Sequence, residues 1–120
     1  MLPAAARMRQ RAEFSAAVRG ARAGRPLLTG HLLLRPGCDD EARVGFVVSR
    51  AVGTAVVRNK VRRRLRHAAR GYLGSLPGGS LLVVRANPRA ATAHQADLAA
   101  ELGLVLGTLL RRQGKALRQS

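Results

Sequence analysis

The spacing of apolar side chains changes period several times along this chain, and each change marks a predicted element. Met8 to Arg19 reads as a short helix presenting Phe14 and Val18 as an i, i+4 pair, after which Gly20 and Gly24 break the pattern into a basic loop. Leu27 to Leu34 is a leucine-rich strand stopped by Arg35-Pro36-Gly37, and Arg43 to Ser49 is a second strand, β-branched and aromatic. An acidic loop from Cys38 to Glu41 lies between them, so the two are expected to be neighbours able to pair as a hairpin. Ala51-Val52-Gly53-Thr54 then leads into a helix with two unlike faces. At 3.6 residues per turn, Val57, Val61, Leu65, Ala68 and Tyr72 share one side, while Asn59, Arg62, Arg63, Arg66 and Arg70 share the other. Thr54 and Asn59 are both candidate N-caps, because either side chain can accept from an orphan backbone N–H.

Gly71, Gly74 and the turn Pro77-Gly78-Gly79 end that helix. Ser80 to Ala86 follows as a continuous apolar strand, expected to be central in its sheet, and stops at Asn87-Pro88. Ala96 to Leu110 is a last amphipathic helix, begun in a loop with Thr92 and His94. A basic tail over about residues 111–120 has the composition of a disordered segment. This order of elements predicts an α+β fold, a small β-sheet packed with about three helices, in a single domain spanning residues 1–120.

Charge sharpens the picture. Twenty-two Lys and Arg against six Asp and Glu give a formal net charge of +16, and twenty of the cations are arginine. The acids are segregated: Glu13, Asp39-Asp40-Glu41, Asp97 and Glu101 leave Ala42 to Ala96 without a carboxylate and with eleven cations. Between Arg58 and Arg70, seven cationic side chains stand in thirteen residues. A surface that merely solubilises mixes both signs, so this one implies a polyanionic partner. Arginine is always charged and offers five donors in a planar fork, so a fixed row of arginines on a helix suits a phosphate chain. The indicated partner is a nucleic acid.

Protein-side catalysis has little support. A nuclease needs carboxylates gathered around metal ions, or a His pair or Lys base beside a nucleophile, whereas the acids here lie in three unrelated places and His31, His67 and His94 have no motif around them. The glycines form no nucleotide-binding fingerprint, so neither a metal nor a cofactor is expected on the protein. Cys38 stands alone and carries no assigned chemistry. Leu98 to Leu110 is interrupted by Glu101 and too short to span a membrane, and no signal peptide opens the chain, so a cytoplasmic protein without a membrane partner is expected.

From Arg43 through Gly53-Thr54-Ala55-Val56 and Arg58-Asn59-Lys60 to Arg66, the chain resembles the bacterial ribonuclease P protein subunit. A strand, a Gly-x-Ala-Val connection, then Arg-Asn-Lys/Arg opening a basic helix form that family's pattern. Arg7-Met8-Arg9 with Glu13-Phe14 upstream, and Ser80 to Arg85 downstream, extend the likeness over nearly the whole chain. The resemblance implies the protein subunit of a ribonucleoprotein whose RNA subunit requires magnesium ions and removes the 5′ leader of precursor tRNA. It implies a left-handed βαβ crossover. It also assigns Arg58, Asn59, Lys60, Arg62, Arg63, Arg66 and Arg70 to the catalytic RNA, and Phe14 with Arg9 and Arg11 to the leader, in a cleft between the sheet and the N-terminal helix. Family members commonly carry further aromatics in that cleft, where this chain has Val18 and the stretch Leu27 to His31. With 2% aromatic content, leader contact is expected to depend more on arginine planes and backbone charge. The two RNA surfaces, distant in sequence, are expected to be separable.

A ribosomal-protein-like structural RNA binder fits the charge and size equally well, and the Arg58 motif with its preceding strand separates the two. A DNA reader fits poorly, because an unbroken arginine face lacks the Asn, Gln, Ser and Thr that mix with arginine in base readout.

Overall fold

The computed structural model describes residues 6–8 and 10–119. Its elements are α1 (Arg11–Val18), β1 (Ala21–Gly24), β2 (Leu28–Leu33), β3 (Arg43–Val47), α2 (Ala55–Arg70), β4 (Leu81–Ala86) and α3 (Gln95–Gln119). The four strands form one mixed sheet in the order β1-β2-β4-β3. β4 pairs antiparallel with β2 and parallel with β3.

Leu81 to Val84 are all buried, which requires a neighbour on each side and cover on each face, so β4 takes the central place its apolar run predicts. That placement overturns the expected hairpin. β4 inserts between β2 and β3, and the two strands flanking the acidic loop never touch. β3 and β4 are instead adjacent parallel strands joined through α2, a βαβ crossover of the kind the family resemblance implies. The segment read as a basic loop is strand β1, paired antiparallel to β2 with Ala21 opposite Leu32 and Gly24 opposite Thr29. Small side chains gave Ala21-Arg22-Ala23-Gly24 little strand propensity of its own.

Alternation divides the sheet's side chains between two layers. Leu28, Leu32, Val44, Leu82 and Val84 pack with Val61 and Leu65 of α2 and with Leu98, Leu102 and Leu109 of α3. α3 approaches β2 so closely that a Cβ on Gly30 would lie 2.5 Å from Val105 Cγ1 and 2.9 Å from Leu109 Cδ1. On the opposite face, Leu81 and Val83 pack under Met8 and Ala17, with Phe14, Leu33 and Val47 partly buried around them. α1 covers only part of that face.

Both outer helices differ from their expected bounds. α1 begins at Arg11 rather than Met8 because Met8 donates its backbone N–H to Val44 O at 3.0 Å, which extends the preceding segment along the β3 edge. Glu13 then fastens α1, accepting from Gln10 N at 3.4 Å and from Arg43 Nη1 at 2.7 Å. α3 does not stop at Leu110: the helix runs on through Arg111 to Gln119, where a basic tail was expected. Arg112 donates to Arg22 O, and the buried Gln113 accepts from Leu34 N at 3.3 Å, so polar anchors carry the helix past its apolar stripe.

Candidate RNA-binding site

Thr54, not Asn59, caps α2: its Oγ1 accepts from Val57 N at 3.4 Å. The apolar side docks as its period predicts, through Val61, Leu65 and Ala68, with Ala69 buried beside them and Val57 half-buried. Tyr72 falls beyond the helix end and donates its hydroxyl to Ala99 O at 2.9 Å.

The polar side displays the expected row. Asn59, Lys60, Arg63 and Arg70 are exposed, whereas Arg58, Arg62 and Arg66 are half-buried with their stems laid along the protein. Asn59 Oδ1 accepts from Arg62 Nη1 at 3.2 Å, so the amide orients a guanidinium in place of capping the helix. Arg58 Nε is sealed from solvent without a hydrogen-bond partner. Arg64 stands apart from the row: its Nη1 donates to Ala93 O at 3.1 Å and its own carbonyl accepts from Gln95 Nε2 at 2.9 Å, which ties α2 to the start of α3. The first turn of α2 contains no acid, leaving the row's positive field unopposed.

A second surface lies where α1 leaves the sheet uncovered. Strand register sets Arg22, His31, Val83 and Gly45 in one row across it, and Gly24, Thr29, Arg85 and Val47 in the next. Phe14, Ser15 and Val18 of α1 overhang this floor and enclose a groove of about 410 Å³. Phe14 plays two parts here. Its ring occupies the space above Gly45, where a Cβ would lie 2.5 Å from Cε1 and Cζ, and the half-buried side chain also lines the groove. Arg11 is exposed at the first position of α1 and does not line the groove; Arg9 lies outside the described residues. Burial, then the nearby charges of Arg22 and Arg85, hold the His31 pKa below its ordinary value, so the imidazole is neutral at pH 7.

Arg22, Thr29 and Arg85 were not singled out by sequence. The signal for Arg85 was the break in the apolar run of β4 at the residue two beyond Val83, which strand alternation turns to Val83's side of the sheet. The two surfaces also meet: Arg7, Phe14, Arg62 and Arg66 line one small depression of about 130 Å³ beside the β3 edge. Residues expected to act separately are therefore neighbours.

Among the described residues, no three His, Cys, Asp or Glu side chains gather as a metal site, and no helix is long and apolar enough to cross a membrane.

Residues 2–110 match the family model described as Ribonuclease P. The ribonuclease P protein component of a Nocardioides species is 59% identical, the match covering 85% of this chain and 89% of that one. That of Thermobifida fusca is 50% identical, covering 97% and 84%. The RNase P protein of Staphylococcus aureus superposes with a TM-score of 0.76 at 23% identity, covering 87% of this chain and 94% of that one. The Thermotoga maritima protein gives a TM-score of 0.70 at 26% identity, covering 88% and 96%. A basic helix docked against a mixed sheet, a matching family model over most of the chain and relatives at this identity converge: the chain belongs to the ribonuclease P protein family, the protein components of the ribonucleoprotein that processes tRNA 5′ ends.

Proposed function

We propose that the chain holds two RNAs on two adjoining surfaces, the arginine face of α2 taking the catalytic RNA subunit and the groove under α1 taking the 5′ leader of precursor tRNA. The observation that carries this reading is the depression shared by Phe14, Arg62 and Arg66, which joins the two surfaces into one path beside the β3 edge. An RNA-bound helix face thereby positions the groove at a fixed offset from the catalytic RNA. The exposed guanidinium and ammonium groups of α2 neutralise phosphates and release counterions, while the half-buried arginines hold a narrower range of directions. In the groove, Arg22 and Arg85 supply positive charge on the floor and Phe14 supplies an aromatic surface for an unpaired base.

Leader contacts exist before cleavage and are lost with the leader afterwards. The protein therefore favours substrate over product without touching the scissile bond. Phosphodiester hydrolysis, and the magnesium ions it requires, belong in this reading to the RNA subunit, and the expected place of action is the cytoplasm.

Holoenzyme reconstituted with the cognate RNA tests the assignment. Phe14→Ala is expected to lower the precursor-over-mature tRNA preference roughly 5- to 100-fold, the equivalent of about 1–3 kcal/mol for one stacked base. Unchanged preference in a folded variant refutes the leader role. RNA-free protein with magnesium is expected to leave precursor tRNA uncut; cleavage at the mature 5′ end by protein alone would overturn the assignment of chemistry to the RNA.

A further inference from the structure

His31 lies on the groove floor, 9% exposed, and the fold leaves it unsatisfied. Its Nδ1 is sealed from solvent with no hydrogen-bond partner, so the nitrogen left at the groove is Nε2. A buried N–H without an acceptor is rarer in folded proteins than a lone pair without a donor, and the positive charges of Arg22 and Arg85 favour a lone pair facing inward. This environment assigns the ring proton to Nε2. The groove therefore presents one N–H donor set among apolar walls.

Those walls decide which part of a nucleotide enters. Phe14, Val18, Val47 and Val83 offer no partner to a phosphate, which loses hydration there and gains little. A nucleobase is apolar on its faces and polar on its edge, and so matches both the walls and the donor, while Arg85 at the groove margin can meet the adjoining phosphate. The volume of about 410 Å³ falls in the range of small-ligand sites.

We infer that His31 reads the identity of one unpaired leader nucleobase, donating from Nε2 to an acceptor on the edge of a base that lies against Phe14 and Val83. This rests on the groove being the leader site. It adds that the site discriminates among bases, because a base that leaves the imidazole unpaired forfeits its desolvation without return, and such sites reject mismatched ligands well.

The test uses reconstituted holoenzyme and precursor tRNAs carrying A, C, G or U at each leader position in turn, with mature tRNA as reference. At one position the four bases are expected to spread about tenfold in Kd, the scale of one hydrogen bond made or left unpaired. His31→Phe retains a ring and apolar bulk but lacks the donor. It is expected to compress the spread below about twofold by weakening the preferred base, with precursor still bound more tightly than mature tRNA. His31→Gln, which restores a donor on a different frame, should change which base is preferred, and it serves if the Phe variant unfolds. A spread below about twofold at every position in the wild type, or one that survives His31→Phe, overturns the inference while leaving the leader site standing. Equal binding of precursor and mature tRNA by the wild type would remove the leader site and this inference together.

Discussion

Replacing Gly45 with alanine sets a methyl group where the Phe14 ring already lies. The added carbon would stand 2.5 Å from Cε1 and Cζ and 3.0 Å from Met8 Sδ, all inside van der Waals contact, so the ring must move off the sheet. Two terms oppose each other. Overpacking a fitted contact costs about 1–3 kcal/mol. Removing glycine's freedom from the unfolded chain returns about 0.4–1 kcal/mol. The net is a loss of roughly 1–2 kcal/mol, or a fall in Tm of roughly 3–10 °C for a chain of this length. Phe14→Ala alone is expected to cost about 2 kcal/mol, less than a fully buried phenylalanine, because the ring is half-exposed. Combined with Phe14→Ala, however, Gly45→Ala meets no ring and should cost almost nothing, which gives a coupling of about 1–2 kcal/mol. Urea unfolding of the four proteins, with unchanged m-values, measures it. In holoenzyme, Gly45→Ala should also lower the precursor preference, since it displaces the same ring. Equal costs of Gly45→Ala in the two backgrounds would show that Phe14 is not seated on Gly45 and would undo this account of the groove.

Arg62→Ala and Arg66→Ala are each expected to weaken catalytic-RNA binding and reduce the slope of log K against log salt by roughly 0.7–0.9 with little change in stability, read by binding titrations across ionic strength. Arg64→Ala should do the reverse, costing about 1 kcal/mol through its lost bond to Ala93 O and leaving the salt slope alone. For His31, the folded pKa is below the ordinary 6.5, so between those two values the unfolded chain binds more protons: stability is complete above 6.5 and declines as pH falls through the folded value. The charges facing the imidazole are Arg22 of β1 and Arg85 of β4, while α1 contributes the uncharged Phe14, Ser15 and Val18. Unfolding of the RNA-free protein between about pH 7.5 and about pH 5 should lose more stability in the wild type than in His31→Phe, and parallel curves would refute the assignment.

The two faces of α2 were legible in the sequence because a helix carries its own period: whatever buries Val61 and Leu65 must leave Arg62, Arg63 and Arg66 outside or at the margin. The central place of β4 was legible for a similar reason, since residues apolar on both sides of a strand need cover on both faces. The resemblance running from Arg43 to Arg66 was legible in the residues themselves. Strand partners were not, because local pattern says which side of a strand is buried and nothing of which strand lies beside it. Only the assembled sheet put β4 between β2 and β3 and made a strand of Ala21–Gly24. Register then brought Arg22, His31 and Arg85, far apart in the chain, onto one floor, and the β3 edge brought Phe14 beside Arg62 and Arg66. Periodicity is a property of each segment alone, whereas the groove depends on contacts between segments that form only when the whole sheet is covered.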